Sequence, residues 1–293
     1  MSAVAAALAR QLGARLGPRA SARVHGGCIN ESYRWESSAG PLFVKIAQVE
    51  RLGMLQAEAE GLRELQRAAA VRTPQVLAVG AAGVHAYLAL EWIELSPARS
   101  SDALLGAQLA RQHRVCARAF GWHRDNTIGS TSQPNTWCED WLEFFREQRL
   151  RHQLKLARRT GHDAGGPLQR RGAELLERLG AFFGSYRPLP SLLHGDLWRG
   201  NRGADRQGRP VIFDPAVYYG DREADIAMTR LFGSFGREFY AAYEAAWPLD
   251  AEAPRRIELY NLYHVLNHLN LFGEAYLAQA QGMIDRLLAE LGR

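Results

Sequence analysis

One short stretch of the chain carries residues suited to phosphoryl transfer. Asp196 and Asn201 lie within the sequence HGDLWRGN, and Asp214 follows in the sequence IFDP. Transfer of a phosphoryl group from a nucleotide to a hydroxyl needs a carboxylate that orients or deprotonates the hydroxyl and two oxygen ligands for Mg²⁺. Asp196 has the chemistry of the base, and Asn201 and Asp214 have that of the metal ligands.

The same residues also allow a plain structural interpretation, in which Asp196 and Asn201 only cap a turn. The apolar pair Leu192-Leu193 leads into His194, and a second apolar segment ends at Asp214, so each constellation follows a short predicted strand. The D-x4-N spacing with a later aspartate is that of a kinase catalytic loop. We therefore predict ATP and Mg²⁺ as cofactors.

Lys45 is a candidate contact for the nucleotide phosphates. Of the 36 lysines and arginines in the chain, only Lys45 and Lys155 are lysines. A lysine in a chain whose other cationic side chains are nearly all arginines indicates a position that needs a compact ammonium. Lys45 closes the predicted strand Phe43-Val44-Lys45, and Glu58 and Glu60 lie on the next helix, where only one of them can face a cleft and hold the ammonium.

A glycine-rich loop precedes these residues. Gly26 and Gly27 allow backbone N–H groups to approach phosphates, and Cys28 and Asn30 share the loop. We predict these four residues as nucleotide contacts, with a plain hairpin turn as the alternative. Backbone N–H groups and Lys45 would lower the pKa of the Cys28 thiol and make it more easily oxidised. We expect a monomer or, if Cys28 forms a disulfide with a second chain, a redox-linked dimer.

The elements that must position these groups divide the chain in two. Period-two patterns predict five strands around one helix before residue 92, with a short amphipathic helix at residues 5–16 ahead of them. Helical patterns dominate after Glu91-Trp92-Ile93, near residues 102–120, 137–157, 168–183, 221–232, 237–247, 254–271 and 274–291. The predicted fold is α+β and bilobal: a five-stranded antiparallel N-terminal lobe with one helix (1–92) and a mainly helical lobe (93–293).

Composition narrows the possible partners and compartment. The net charge of +5 is mild, and its charges are interleaved, which argues against a nucleic-acid binder. Three cysteines without a CxxC spacing argue against a disulfide framework or zinc site and favour a reducing cytoplasm. No run of eighteen apolar residues is present, so we expect no membrane span.

Several segments together resemble the fructosamine-3-kinase (ketosamine-3-kinase) family, over nearly the whole chain. They are Gly26 to Asn30, Phe43 to Lys45, Gly121 to Asn135, Trp141 to Leu150, His194 to Asn201 and Asp214 to Asp225. HGDLWxGN with DPAxYYG is specific to that family, whereas the bare HGD-x4-N is shared with aminoglycoside and choline kinases. The resemblance implies a protein-kinase-like fold and an ATP-dependent ketosamine-3-kinase that deglycates amines or proteins.

The resemblance also implies a role for individual residues. Lys45 pairs with Glu58, Asp196 is the base, and Asn201 and Asp214 bind Mg²⁺. The hinge that meets adenine is formed by Glu91, Trp92 and Ile93, while His194 and Asp225 support the catalytic loop. The acceptor pocket is expected near His123, Asp125, Asn126 and Trp198, although a polar turn or core packing would also explain these residues. Asp221 stands where a histidine is expected, and Arg199 where a small residue is expected.

Two functional alternatives to a ketosamine kinase differ from it in substrate or in activity. A kinase for another hydroxylated amine, such as an aminoglycoside or choline, would share the catalytic loop but not the acceptor segments. A silent ATP-binding module would lack a base or metal ligand, and none is missing. Trp122, His123, Trp137 and Trp198 are expected to crowd the pocket, which favours a ribulosamine over the longer fructosamine.

Overall fold

The structure is a computed structural model that describes residues 2–17, 22–24, 31–96 and 102–292. The glycine-rich loop with Gly26, Gly27, Cys28 and Asn30 lies outside the described residues. Its predicted contacts with nucleotide therefore stay predictions.

An antiparallel sheet of five strands forms the N-terminal part, in the order β1-β2-β3-β5-β4. Its elements are α1 (Ser2–Leu12), β1 (Ala22–Val24), β2 (Glu31–Trp35), β3 (Leu42–Gln48), α2 (Leu52–Ala68), β4 (Val76–Ala82) and β5 (His85–Glu91). The predicted succession of three strands, a helix and two strands is confirmed.

Side chains of β3 alternate between the two faces of this sheet. Val44 packs with Leu8 of α1 on one face, and Phe43 packs with Leu62 of α2 on the other. Lys45 shares the parity of Phe43, so its side chain points toward α2. Both faces are apolar and both are covered, one by α2 and the other by the predicted N-terminal helix, which spans Ser2–Leu12 rather than residues 5–16.

The rest of the chain is mainly helical, as predicted. Its helices are α3 (Asp102–His113), α4 (Trp141–Phe144), α5 (His152–Arg159), α6 (Pro167–Arg178), α7 (Glu223–Leu231), α8 (Arg237–Ala246), α9 (Ala253–Phe272) and α10 (Leu277–Glu290). A π-helix at residues 145–151 joins α4 to α5. Within the described ranges, no helix combines the length and apolar character needed to cross a bilayer.

For two of the helices that are shorter than predicted, the structure shows the physical reason. The first was expected to reach Phe120 but ends at His113, because Cys116 and Phe120 form isolated β-bridges instead. The second was expected from residue 137 but starts at Trp141, where the Asp140 side chain caps the helix by accepting a hydrogen bond from the Glu143 N–H at 2.7 Å.

Short strands, several of them too brief to predict, connect the helices. They are β6 (Asn126–Ile128), β7 (Thr131–Gln133), β8 (Ser191–Leu193), β9 (Arg202–Ala204), β10 (Pro210–Ile212) and β11 (Tyr218–Gly220). They form three antiparallel pairs, β6 with β7, β8 with β11, and β9 with β10. The pairs bring the segment after Leu193 beside the segment after Ile212.

Candidate active site

A cavity of about 840 Å³ lies between the N-terminal sheet and the helical part. Most of the predicted site residues that the structure describes line it: Lys45, Glu58, Glu91, Trp92, Ile93, Asn126, Asp196, Trp198, Asn201 and Asp214. The tertiary structure therefore gathers residues separated by as many as 169 positions into one cleft.

Lys45 is clamped by two carboxylates. Its Nζ lies 2.7 Å from Oε1 of Glu58 and 2.6 Å from Oδ1 of Asp214. Glu58 is thus the glutamate of α2 that faces the cleft, while Glu60 points elsewhere. Burial by itself would lower the pKa of Lys45, but the charges of Asp214 and Glu58 outweigh it and raise that pKa. The ammonium stays charged, as a phosphate contact requires.

Asp196 and Asn201 face each other across one turn of the loop after β8. The Asn201 amide nitrogen donates to the Asp196 side chain at 3.1 Å and to its backbone carbonyl at 2.9 Å. Burial and then the charge of Asp214 raise the pKa of Asp196 to about 7, with the Asn201 hydrogen bond opposing them. A carboxylate with a pKa near neutrality is suited to proton transfer.

Asp214 occupies an unusual backbone conformation. Its φ of +55° is in the left-handed region, which residues other than glycine seldom adopt. Such conformations cluster at functional sites, where the surrounding structure holds them. The conformation turns the chain sharply after β10 and places a carboxylate oxygen beside Lys45.

The loop that carries Asp196 is held in place by Asp225. Its carboxylate accepts hydrogen bonds from the backbone N–H groups of His194 at 2.7 Å and Gly195 at 2.9 Å. A buried histidine, His113, contacts the same carboxylate at 3.1 Å through Nε2 and the hydroxyl of Tyr243 at 2.8 Å through Nδ1. His113 was not among the predicted residues, because nothing near it in the chain marks it as part of the site.

The predicted hinge residues follow β5 at the edge of the cavity. The Glu91 carboxylate is bound by Arg72 at 2.6 Å, so its side chain is already occupied. The Trp92 ring lies against Phe43 and beneath the Arg34 guanidinium. The Glu91 side chain is therefore not available to a base, and the backbone of this segment is the candidate contact.

Within the segment predicted to form the acceptor pocket, residues 126–129 line the cavity, whereas the side chains before them contact other parts of the chain. The His123 ring contacts Glu60 at 2.9 Å, and the Asp125 carboxylate accepts from the Asn135 backbone N–H at 2.8 Å; neither is among the residues that line the cavity. Asn126 lines it, but its amide donates to the Val217 carbonyl at 2.8 Å. This segment supports the loop after Asp214.

Aromatic rings line the cavity beyond Asp196. Trp198 meets Phe232 with ring centroids 6.4 Å apart, and Phe232 meets His268 at 4.4 Å. Phe272 and Tyr276 continue the row at 5.3 and 5.1 Å from His268. Apart from Trp198, the row was not predicted, although a histidine and asparagines on the apolar helix α9 were a detectable signal.

The two departures from the expected pattern leave the cavity intact. Asp221 is buried and accepts hydrogen bonds from the hydroxyls of Tyr186 at 3.0 Å and Tyr260 at 2.5 Å. Arg199 is exposed. Neither residue lines the cavity.

Comparison with known families identifies the chain. The model of the fructosamine kinase family matches residues 1–290. The chain belongs to the fructosamine kinase family. This membership confirms the predicted family and makes the protein a kinase, an enzyme class that uses ATP.

Relatives of this fructosamine kinase are found in bacteria and plants. A Synechocystis protein named "Probable ketoamine kinase" is 43% identical over 267 residues, which cover 90% of this chain and 89% of the relative. The chloroplastic protein-ribulosamine 3-kinase of Arabidopsis thaliana is 41% identical over 271 residues, covering 92% and 82%.

Solved structures confirm the protein-kinase-like fold. A crystal structure from Thermobifida fusca, of a protein assigned as a fructosamine-3-kinase, superposes with a TM-score of 0.87 at 32% identity, over 99% of both chains. A mutant aminoglycoside phosphotransferase in complex with ADP and hygromycin B gives a TM-score of 0.66 at 16% identity over 98% of both chains, which shows a shared fold.

Proposed function

We propose that this kinase transfers the γ-phosphoryl group of ATP to the 3-hydroxyl of a ketosamine, the product of a sugar and an amine. The observation that carries the proposal is one cavity with two unlike ends. One end holds Lys45, Asp196, Asn201 and Asp214, and the other presents aromatic rings. The names of the relatives support the ketosamine as substrate.

The nucleotide would lie beneath the sheet. Lys45 would contact its phosphates, held by Glu58, and the backbone of Glu91, Trp92 and Ile93 would meet adenine. We propose that residues 1–92 form the ATP-binding lobe and residues 93–293 the catalytic and acceptor-binding lobe. The end of β5 at Glu91 and the start of α3 at Asp102 support this boundary.

Mg²⁺ suits the donor set beside Asp196. It prefers oxygen ligands and is commonly held by one or two carboxylates together with substrate phosphates. Asn201 uses its amide nitrogen on Asp196, which leaves its oxygen for a cation, and Asp214 supplies a carboxylate. When bound between these residues, Mg²⁺ would neutralise charge on the phosphates.

Asp196 would act as the base. Its carboxylate would accept the proton of the 3-hydroxyl while that oxygen attacks the γ-phosphorus. Asn201 fixes the carboxylate in place, and Asp225 fixes the loop that carries it. A 3-phosphoketosamine is chemically fragile: after enolisation it loses inorganic phosphate from C3, and water hydrolyses the resulting imine to the free amine and a 3-deoxydicarbonyl sugar. The reaction would therefore repair glycated amines or proteins.

The acceptor end of the cavity argues against polycationic substrates. Among the described lining residues, the carboxylates are Glu58, Glu91, Glu94, Asp196 and Asp214. Two of them bind Lys45, a third binds Arg72, and Glu94 lies near Arg206. An aminoglycoside brings several ammonium groups, each of which would need its own counter-charge when removed from water.

We also propose a preference for ribulosamine over fructosamine, although most of the residues that were predicted to crowd the pocket lie outside it. Of the four bulky residues expected to crowd the pocket, only Trp198 lines the cavity. Trp122 is buried in the core, and Trp137 is half exposed beside Tyr219. Support for the preference now comes from Trp198, which lies two residues from Asp196, and from the relatives named protein-ribulosamine 3-kinase.

A substrate panel tests the proposal. ATP consumption would be followed with ribulosamine, erythrulosamine and fructosamine of one amine, an aminoglycoside and choline, with Asp196→Asn as the matched blank. We expect kcat/KM for ribulosamine to exceed that for fructosamine at least about tenfold, equivalent to roughly 1.4 kcal/mol. Turnover of choline or the aminoglycoside alone would refute the substrate class. Nucleotide binding without any turnover would indicate a silent module.

We also propose a reducing cytoplasm as the compartment, supported by the free thiols of Cys116 and Cys138. The redox role of Cys28 stays a prediction. We expect peroxide to inhibit the wild-type kinase, ATP to protect it, and Cys28→Ser to resist. A Cys28→Ser variant as sensitive as wild type would contradict it.

A further inference from the structure

Helix α2 also touches the helical part of the molecule, through a surface that adjoins the side carrying Glu58. Glu60, Gly61 and Glu64 form this face, since residues one and four positions apart along a helix lie on neighbouring sides. We name it, together with its partners Arg124, Val217 and Tyr219, the α2 docking face.

Glu60 is the charged centre of the α2 docking face. One carboxylate oxygen lies 2.8 Å from Nη1 of Arg124 and the other 2.9 Å from Nε2 of His123. The second amino group of Arg124 donates to the Gly53 carbonyl at 3.3 Å, near the start of the same helix. Side chains of the helical part therefore bind α2 at two points along its length, at Glu60 and at Gly53.

The other contacts are close and directional. A Cβ atom added at Gly61 would lie 3.1 Å from Cγ2 of Val217, so the lack of a side chain allows this approach. One turn along the helix, Oε1 of Glu64 accepts a hydrogen bond from the Tyr219 hydroxyl at 2.8 Å. Both partners lie in the segment that follows Asp214.

These contacts connect α2 with the candidate catalytic groups in a closed ring of neighbouring residues. Asp214 contacts Lys45, Lys45 contacts Glu58, and Glu58 lies one helical turn from Gly61. Gly61 packs against Val217, three residues after Asp214 in the chain. A shift of α2 would therefore move Glu58 away from Lys45 and disturb the loop that holds Asp214.

We propose that the α2 docking face holds Glu58 on Lys45 before any nucleotide binds, with Glu60 and Arg124 as positioning residues. The kinase then needs no activating partner or modification to assemble its phosphate clamp. The proposed positioning of Glu58 does not depend on which acceptor the kinase uses, because every contact lies on the nucleotide side of the cavity or outside it.

A charge-swap cycle tests this inference. Glu60→Arg places two cations together, Arg124→Glu places two carboxylates together, and the double variant restores an ion pair of reversed direction. We expect each single variant to weaken binding of ATP with Mg²⁺ about fivefold by titration calorimetry and to lower kcat, with the KM for the acceptor within twofold. The double variant should recover at least half of the loss in affinity.

Controls separate positioning from a general loss of stability. Arg63→Ala removes an exposed charge from the same helix and should leave nucleotide affinity unchanged. Gly61→Val tests the packing contact and should reproduce the weakened binding while the protein still unfolds cooperatively. Unchanged affinity in Glu60→Arg, or a double variant no better than the single ones, would overturn the inference. The binding measurements need no acceptor, so they stand even if the proposed ketosamine activity fails.

Discussion

Lys45→Met should destabilise the protein as well as inactivate it. The side chains of Lys45 and Glu58 are only 8% and 13% exposed, and Asp214 is 38% exposed. Methionine removes the ammonium and keeps most of the apolar stem, so Glu58 is left as a buried carboxylate without its cation. Removing one partner of a buried ion pair costs about 3–5 kcal/mol.

We expect the lower end of that range, because Glu58 can escape part of the cost by taking up a proton. Burial already raises its pKa, with Lys45 opposing the rise. About 3 kcal/mol in a chain of this length corresponds to a fall in Tm of roughly 5 °C. A raised pKa in the folded state means that folding binds a proton, so the deficit should be full near pH 8 and shrink toward pH 5.

The double variant Lys45→Met/Glu58→Gln supplies the test. A neutral glutamine removes the buried charge, so most of the lost stability should return, while kcat/KM should stay at least about a hundredfold below wild type. Chemical unfolding at pH 8 and ATP turnover would be measured on all four proteins. Single and double variants of equal stability would refute the view that a buried, uncompensated Glu58 causes the loss.

Lys45→Arg should also lose activity, because a planar guanidinium does not fit between the two carboxylates.

Three further predictions concern the loop, its support and the core. Asp196→Asn should lower kcat by about three orders of magnitude while ATP affinity by calorimetry stays within threefold; turnover within tenfold of wild type would exclude Asp196 as base. His113→Gln can still donate to Asp225 where His113→Asn is too short, so kcat should fall at least tenfold only in the asparagine variant, with the KM for ATP unchanged. Burial lowers the pKa of His264 to about 3, so the folded protein excludes a proton that the unfolded chain binds below pH 6.5. The free energy of unfolding should therefore fall as the pH drops from 7 to 5, and His264→Leu should reduce that fall by about 2 kcal/mol. An unchanged dependence of stability on pH in this variant would contradict a buried, neutral His264.

Local patterns were sufficient for the elements and for the catalytic loop. The apolar segment around Lys45 predicted strand β3, although the strand continues to Gln48 and places Lys45 at its centre rather than at its end. Short apolar segments lead into Asp196 and Asp214, so the candidate base and metal ligands followed from spacing. These features depend on neighbours within a few residues, which a sequence displays directly. The family resemblance extended them to Glu58 and the hinge.

The proposed acceptor end of the cavity was harder to predict, because its residues are distant from one another in sequence. His123 and Asp125 sit in a polar loop typical of a binding segment, yet the structure uses them to hold α2 and the chain near Asn135. His268 and Phe272 enter the cavity from a helix some 70 residues after Asp196. Polar residues on an apolar helix look alike whether they support a core or line a cavity.

The sequence by itself determined which groups are available for phosphoryl transfer and which short elements present them. Only the tertiary structure decided that Glu58 rather than Glu60 meets Lys45, because that choice depends on which face of α2 packs on the sheet and which on the helical part. It also decided that Glu60, His123 and Arg124 form a contact outside the cavity. Helical periodicity places side chains on a face, but the packing of the whole chain determines what that face meets.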